Sequence, residues 1–190
     1  MTLLVLFACA RPAVPSAPEA PPPALERAEV DWFALRGADR IELLEACLAD
    51  CPRDERDVAV ASLTTWQLRW GWQRAPYEPC TVASTTVDVR VSVALPRWEP
   101  PVEADPALVR EWETWHASLR QHEQGHVDVV HVFAHDAEAR LKDAGCAGID
   151  AAGAALMAGL REAQADYDRT TEDGHGQGAS FWRGGGPSRL

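Results

Sequence analysis

Three patterns predict an α+β domain: two strands of period two, one long helix of period 3.6, and a second helix near the carboxyl end. Over residues 66–72, Trp66, Leu68, Trp70 and Trp72 alternate with Gln67, Arg69 and Gly71; over 87–95, Val87, Val89, Val91, Val93 and Leu95 do the same against mostly polar neighbours. Such alternation buries one face and wets the other, as in an antiparallel sheet beside helices. Between about 106 and 144, Trp112, Trp115, Leu119, Val129, Val130 and Phe133 fall on one stripe of a helical wheel. The expected architecture is a small antiparallel sheet packed on that long helix, with the C-terminal helix beside it. A chain of 190 residues, 46% hydrophobic and 25% charged, suits one domain with ample core.

Residues 1–9 hold an apolar run of six, from 3 to 8, ending at Cys9. That run is far short of the roughly 20 residues a membrane helix needs. It reads as the end of a secretory signal, and "LFAC" is similar to the lipobox of bacterial lipoproteins, which makes Cys9 a lipidation candidate. Phe7 stands where that pattern has a smaller residue, and the lack of a preceding basic residue points to a start upstream. Residues 10–28 form a Pro/Ala-rich linker: ten of the fourteen residues at 10–23 are proline or alanine, which favours an extended spacer over a packed segment.

The domain proper is expected over 29–180. A first strand spans 29–35, and a short helix spans 38–50 with Ile41, Leu44 and Leu48 on one side, stopped by Pro52. The strand pair follows, joined by "RAPYEPC", and Pro96 with "EPPVEADP" ends the sheet before the long helix. The final helix covers 150–167 with Asp150 as its cap, and 181–190 forms a flexible tail. Of five cysteines, assigning Cys9 to lipid leaves an even set: Cys47, Cys51, Cys80 and Cys146. Of the three possible pairings we prefer Cys47 with Cys51 and Cys80 with Cys146, in an oxidising extracytoplasmic compartment.

Chemistry concentrates in "QHEQGHVDVV", residues 121–130. His122 and His126 lie four apart on a helix, so their rings project side by side and reach one ion. Both fall in the middle of the apolar stripe, and Glu123 lies at its edge. Zinc suits two such nitrogens, and a catalytic zinc keeps one position for water. Glu123 would serve as general base, taking the proton of the water that attacks a peptide carbonyl and passing it to the leaving amine.

"WQLRW", Cys80, "LPRW" at 95–98, Trp112, "HEQGH" and "YDRTTEDGHGQGA" together resemble a family of bacterial predicted secreted zinc-dependent proteases, catalogued as a domain of unknown function. The resemblance runs from about 30 to 179 and implies a small zincin-like domain with Zn2+ as cofactor. Its tail pattern is similar to Tyr-Asp-x-x-Thr-x-His-Gly, whose His is a natural third ligand. Here Tyr167, Asp168, Thr171 and Gly174 match, but Asp173 occupies the His position and His175 comes two residues later. Either Asp173 or His175 is the expected third ligand, with Glu162 on the last helix as a further possibility. A longer motif with Gly and His three and six residues after His126 is excluded by Val129 and Val132. Tyr167 either stabilises an oxyanion or packs the last helix. His131 and His135 fall opposite the zinc pair and read as surface residues.

The net charge of −11, with no Lys/Arg run, argues against a nucleic-acid partner. Any membrane contact would come through the lipid at Cys9. The reading is an exported zinc endopeptidase acting on a peptide or protein. The competing reading is a non-catalytic envelope lipoprotein, or binding module, on the same fold.

Overall fold

The computed structural model describes residues 24–76 and 80–182; Cys9 and the linker up to residue 23 lie outside them. A 3-10 turn, Ala24–Arg27, leads into β1 (Glu29–Leu35), α1 (Arg40–Asp50), β2 (Leu63–Arg74), β3 (Val82–Trp98), α2 (Pro106–Asp143) and α3 (Gly145–Thr171). A second 3-10 turn, His175–Gln177, closes the order. The fold is α+β, as the periodicities predict. Its sheet is mixed, in the order β1-β3-β2. β2 and β3 pair antiparallel from Leu63 opposite Ala94, whereas β1 joins β3 in parallel, with Glu29 opposite Ser92 and Leu35 opposite Trp98. Alternation marks which residues face the core but carries no information on strand direction, so the parallel edge was invisible in it.

Each element follows from local chemistry, with some shifts from expectation. Asp39 caps α1 by accepting from the backbone N–H groups of Ile41 and Glu42. The face α1 buries is Leu43 and Cys47, while Ile41 and Leu48 are exposed. The expected stripe is thus off by one residue, a rotation of about 100°. Pro96 lies inside β3 rather than ending the sheet. β2 begins only opposite Ala94, so past that point β3 is flanked by β1 alone. A missing N–H on the vacant side breaks no ladder bond.

α2 starts as read, with Asp105 accepting from Ala107 N–H and Pro106 in the first turn. α3 begins at Gly145, one residue after α2, so Asp150 sits inside the helix instead of capping it. The two helices run antiparallel: Leu141 and Ile149 share a core cluster, Gly159 faces Phe133, and Gln164 faces His126. Gly153 lets the Trp70 indole of β2 lie on α3; a Cβ there would come within 2.2 Å of the ring.

An aromatic cluster closes the other end of the core. Trp112 contacts Trp98, Trp115 and Phe181 with ring centroids 5.3, 4.8 and 5.4 Å apart. Phe181, placed in the tail by its sequence position, is only 1% exposed. Trp32 and Trp72 depart from the core role of the other described tryptophans, at 49% and 39% exposed.

The two disulfides pair as preferred, Cys47 with Cys51 and Cys80 with Cys146. The second ties the β2–β3 connection to the start of α3 across 66 residues of sequence. Replacing Cys80 and Cys146 by serine should lower unfolding stability by about 2–4 kcal/mol, seen as a lower urea midpoint.

Candidate metal centre

α2 buries the polar residues His122, Glu123 and Gln124 within its apolar stripe, at 6%, 3% and 9% exposure. Buried imidazoles need partners, and α3 with the segment after it supplies them. Gln164 donates its Nε2 to the His126 carbonyl at 3.0 Å, which turns its Oε1 onto His126 Nδ1. Gln177 donates its Nε2 to the Tyr167 hydroxyl at 3.1 Å, and its Oε1 lies 3.0 Å from His122 Nδ1. Tyr167 in turn donates to the His122 carbonyl at 3.2 Å.

This network fixes the tautomers. A carbonyl only accepts, so each amide orientation is forced, and each Nδ1 must carry the hydrogen. Both Nε2 lone pairs then face each other at 3.2 Å, with Asp168 Oδ1 at 3.0 Å from His126 Nε2 and 3.5 Å from His122 Nε2. The three ligand atoms lie within 4.8 Å of one another, a grouping that could hold a cation. Two nitrogens and a carboxylate oxygen around a tetrahedral zinc stand about 3.3 Å apart. The donor set His122, His126 and Asp168 therefore fits a single metal ion.

Without metal, a proton has to serve. Burial disfavours the His126 imidazolium, but its hydrogen bond to Asp168 and the nearby Glu123 charge outweigh this and raise its pKa above the usual 6.5. Burial likewise works to raise the Asp168 carboxyl, yet the hydrogen bonds from His122 and His126 hold it well below the usual carboxylate range.

Asp168, rather than Asp173 or His175, joins His122 and His126 in the group that could hold an ion. α3 runs on through Thr171, and this carries Asp168 under the two imidazoles. The chain then leaves through three left-handed residues, Glu172, Asp173 and Gly174, at φ 54°, 52° and 83°. Asp173 and His175 line the same cleft outside the ligand group, and His175 Nδ1 bonds Ser180 Oγ. Glu162 is exposed and takes no part in the cleft lining.

Tyr167 does not line the cleft either. Its ring stacks on His122 at 5.3 Å between centroids, and its hydroxyl is engaged with the His122 carbonyl and Gln177. It supports the helix turn that holds the ligand. Gly125 exists for this contact: a Cβ there would lie 2.0 Å from the Tyr167 hydroxyl. His135 is exposed as expected, whereas His131 is half-buried, with Nε2 lacking a partner among the described residues.

Glu123 lines the same cleft as His122, His126 and Asp168, and its carboxylate sits in a hydroxyl clamp. Ser62 Oγ donates to Oε1 at 2.6 Å and Thr64 Oγ1 to Oε2 at 2.5 Å. Both donors stand where the chain enters β2, two residues apart and so on one face of the strand.

Sequence reasoning missed Asp168 as a ligand and the partners Gln164, Gln177, Ser62 and Thr64. One signal existed. Gln164, Tyr167, Asp168 and Thr171 recur at helical spacing as a polar stripe on an otherwise alanine-rich helix.

Asp168→Asn should weaken zinc binding by more than the roughly 10–100-fold that loss of an outer-shell partner costs, while Gln177→Ala should fall within that range and Asp173→Asn should change little. Competition with a chromophoric chelator measures all three. In the metal-free protein the His126–Asp168 pairing stabilises fully below pH 6.5 and is lost as pH rises through the raised His126 value. Metal displaces that proton, so apparent metal affinity should climb with pH across the same window and level off above it.

Residues 30–176 match the model of a family described as "Bacterial protein of unknown function (DUF922)". No curated protein and no solved structure matches the chain. Because the match takes in β1 through the second 3-10 turn, with the whole ligand group inside it, the chain belongs to this bacterial family of unknown function.

Proposed function

We propose that the protein is an extracytoplasmic zinc-dependent peptidase. The observation that carries this reading is the convergence of three ligand atoms beside a buried carboxylate that is not itself a ligand. A purely structural zinc site has no use for Glu123, since structural sites close with four protein ligands. Three protein ligands leave a position open, and the cleft they line holds about 270 Å3.

His122, His126 and Asp168 would hold the zinc, which supplies Lewis acidity to a carbonyl oxygen and acidifies water. Glu123 acts as general base and then general acid, taking a proton from the attacking water and returning it to the departing amine nitrogen. Ser62 and Thr64 hold its carboxylate in place, and each oxygen keeps a second lone pair for that transfer. β2 is an edge strand whose first residues line the cleft, so an extended peptide can add to it by backbone pairing.

Two disulfides agree with export. No helix among the described residues is long and apolar enough to cross a membrane. Attachment through a lipid on Cys9 completes the proposal. The reading as a non-catalytic metal-binding module draws on one observation, that hydroxyls occupy both Glu123 oxygens.

Glu123→Gln separates the two. It should retain zinc and lose roughly 10²–10⁴-fold in kcat on a peptide library, the usual contribution of a general base. Retained turnover would remove Glu123 from the mechanism, and a wild-type protein that holds zinc but cleaves nothing would favour the binding module.

A further inference from the structure

The ligand stripe of α2 does not stop at His122. Trp115, Leu119, His122 and His126 follow the spacing i, i+4, i+7, i+11, and all four line the same cleft. On an α-helix Leu119 lies about 4.5 Å and Trp115 about 10.5 Å along the axis from His122. The metal-ligand group therefore grades, within the reach of one side chain, into an apolar floor. Two further segments wall it: Leu63 and Trp66 from β2, and Phe181 and Trp182 from the end of the domain.

We infer that this part of the cleft is a subsite for one large apolar side chain, aromatic by preference, carried by the residue next to the scissile bond. The inference rests on the metallopeptidase reading and adds the substrate class. Ser62, Thr64 and Trp66 share one face of the strand entry, so the strand that clamps Glu123 also presents the indole. The side chain is thereby placed beside the base rather than at a remote part of the substrate.

The walls favour a ring over an aliphatic chain. Trp115 meets Trp182 at 67° with centroids 6.1 Å apart, and Phe181 meets Trp182 at 85° and 4.8 Å. Trp115 and Phe181 are buried behind this wall, so the half-buried Trp66 and Trp182 supply the ring surface that an incoming ring meets in tilted packing. A carboxylate seated among these six groups would lose its hydration with no counter-charge from them. Arg56, a cation in the cleft lining, is already paired with Asp54 at 2.6 Å.

The test uses hydroxamates, which need a bound metal but no turnover. Titration calorimetry on the zinc-loaded full chain would compare acetohydroxamate with the hydroxamates of 3-phenylpropionic, 4-methylpentanoic and succinic acids. The phenyl compound should bind at least about 10-fold more tightly than acetohydroxamate, with the branched alkyl between them and the succinyl compound weakest. Trp66→Ala and Trp182→Ala should each reduce the phenyl-to-acetyl ratio to below about 3-fold. Equal binding of all four, or tightest binding of the succinyl compound, would overturn the subsite while leaving the metal centre intact. If none binds, the metal centre falls, and the subsite with it.

Discussion

Two imidazoles on the buried side of a helix impose the constraint that organises this molecule. The Nδ1 side of both rings is turned into the protein, away from the cleft they line, so those atoms must find partners inside it. Gln164 and Gln177 take the Nδ1 hydrogens, and Asp168 faces the Nε2 atoms. Tyr167 grips the turn between the two, and Gly125 makes room for it. These residues account for why α3 must run antiparallel to α2 and at what height. They also account for the chain's return after Thr171, since Gln177 has to reach His122 from beyond the end of α3.

Neutral amides hold the Nδ1 atoms, so among the described residues the one carboxylate touching the imidazoles is Asp168, the residue that could share an ion with them. A carboxylate behind either histidine would add negative charge and compete with Asp168 for the same proton or metal. With glutamines there, the tautomers are fixed and the charge stays where the cation sits. In the same cleft, Glu123 is served by hydroxyls, which are also neutral. Glu123 and the His122–His126–Asp168 group are thus positioned by different parts of the fold, the β2 entry for one and α3 for the other, with α2 as their common support.

Much of this was legible in the sequence, for identifiable reasons. Period-two alternation in β2 and β3 reflects burial of one face, and the position of His122 and His126 on the stripe of Trp115 and Leu119 follows from 3.6 residues per turn. The candidate third ligand was not legible, because the motif spacing points to Asp173 or His175 in the loop after α3. The residue that joins the two histidines is instead the helical Asp168, whose spacing from Gln164 shows only when α3 is read as a polar stripe. The direction of β1, the buried side of α1 and the core position of Phe181 depend on tertiary neighbours that no local pattern encodes. In α1 the apolar residues Ile41, Leu43, Leu44 and Leu48 spread over adjoining faces, and the Cys47–Cys51 bridge side decides which is buried.

The hydroxyl clamp on Glu123 has a consequence for how an extended chain would be measured. Because Ser62 and Thr64 belong to the entry of a strand that is an edge of the sheet among the described residues, a chain paired to that edge would share its hydrogen-bond ladder with the residues that fix Glu123. A ladder repeats every two residues, and a slip of one turns every side chain to the opposite face. Such a chain could advance past the carboxylate only in steps of two, so the edge would act as a ruler and set which bond is presented.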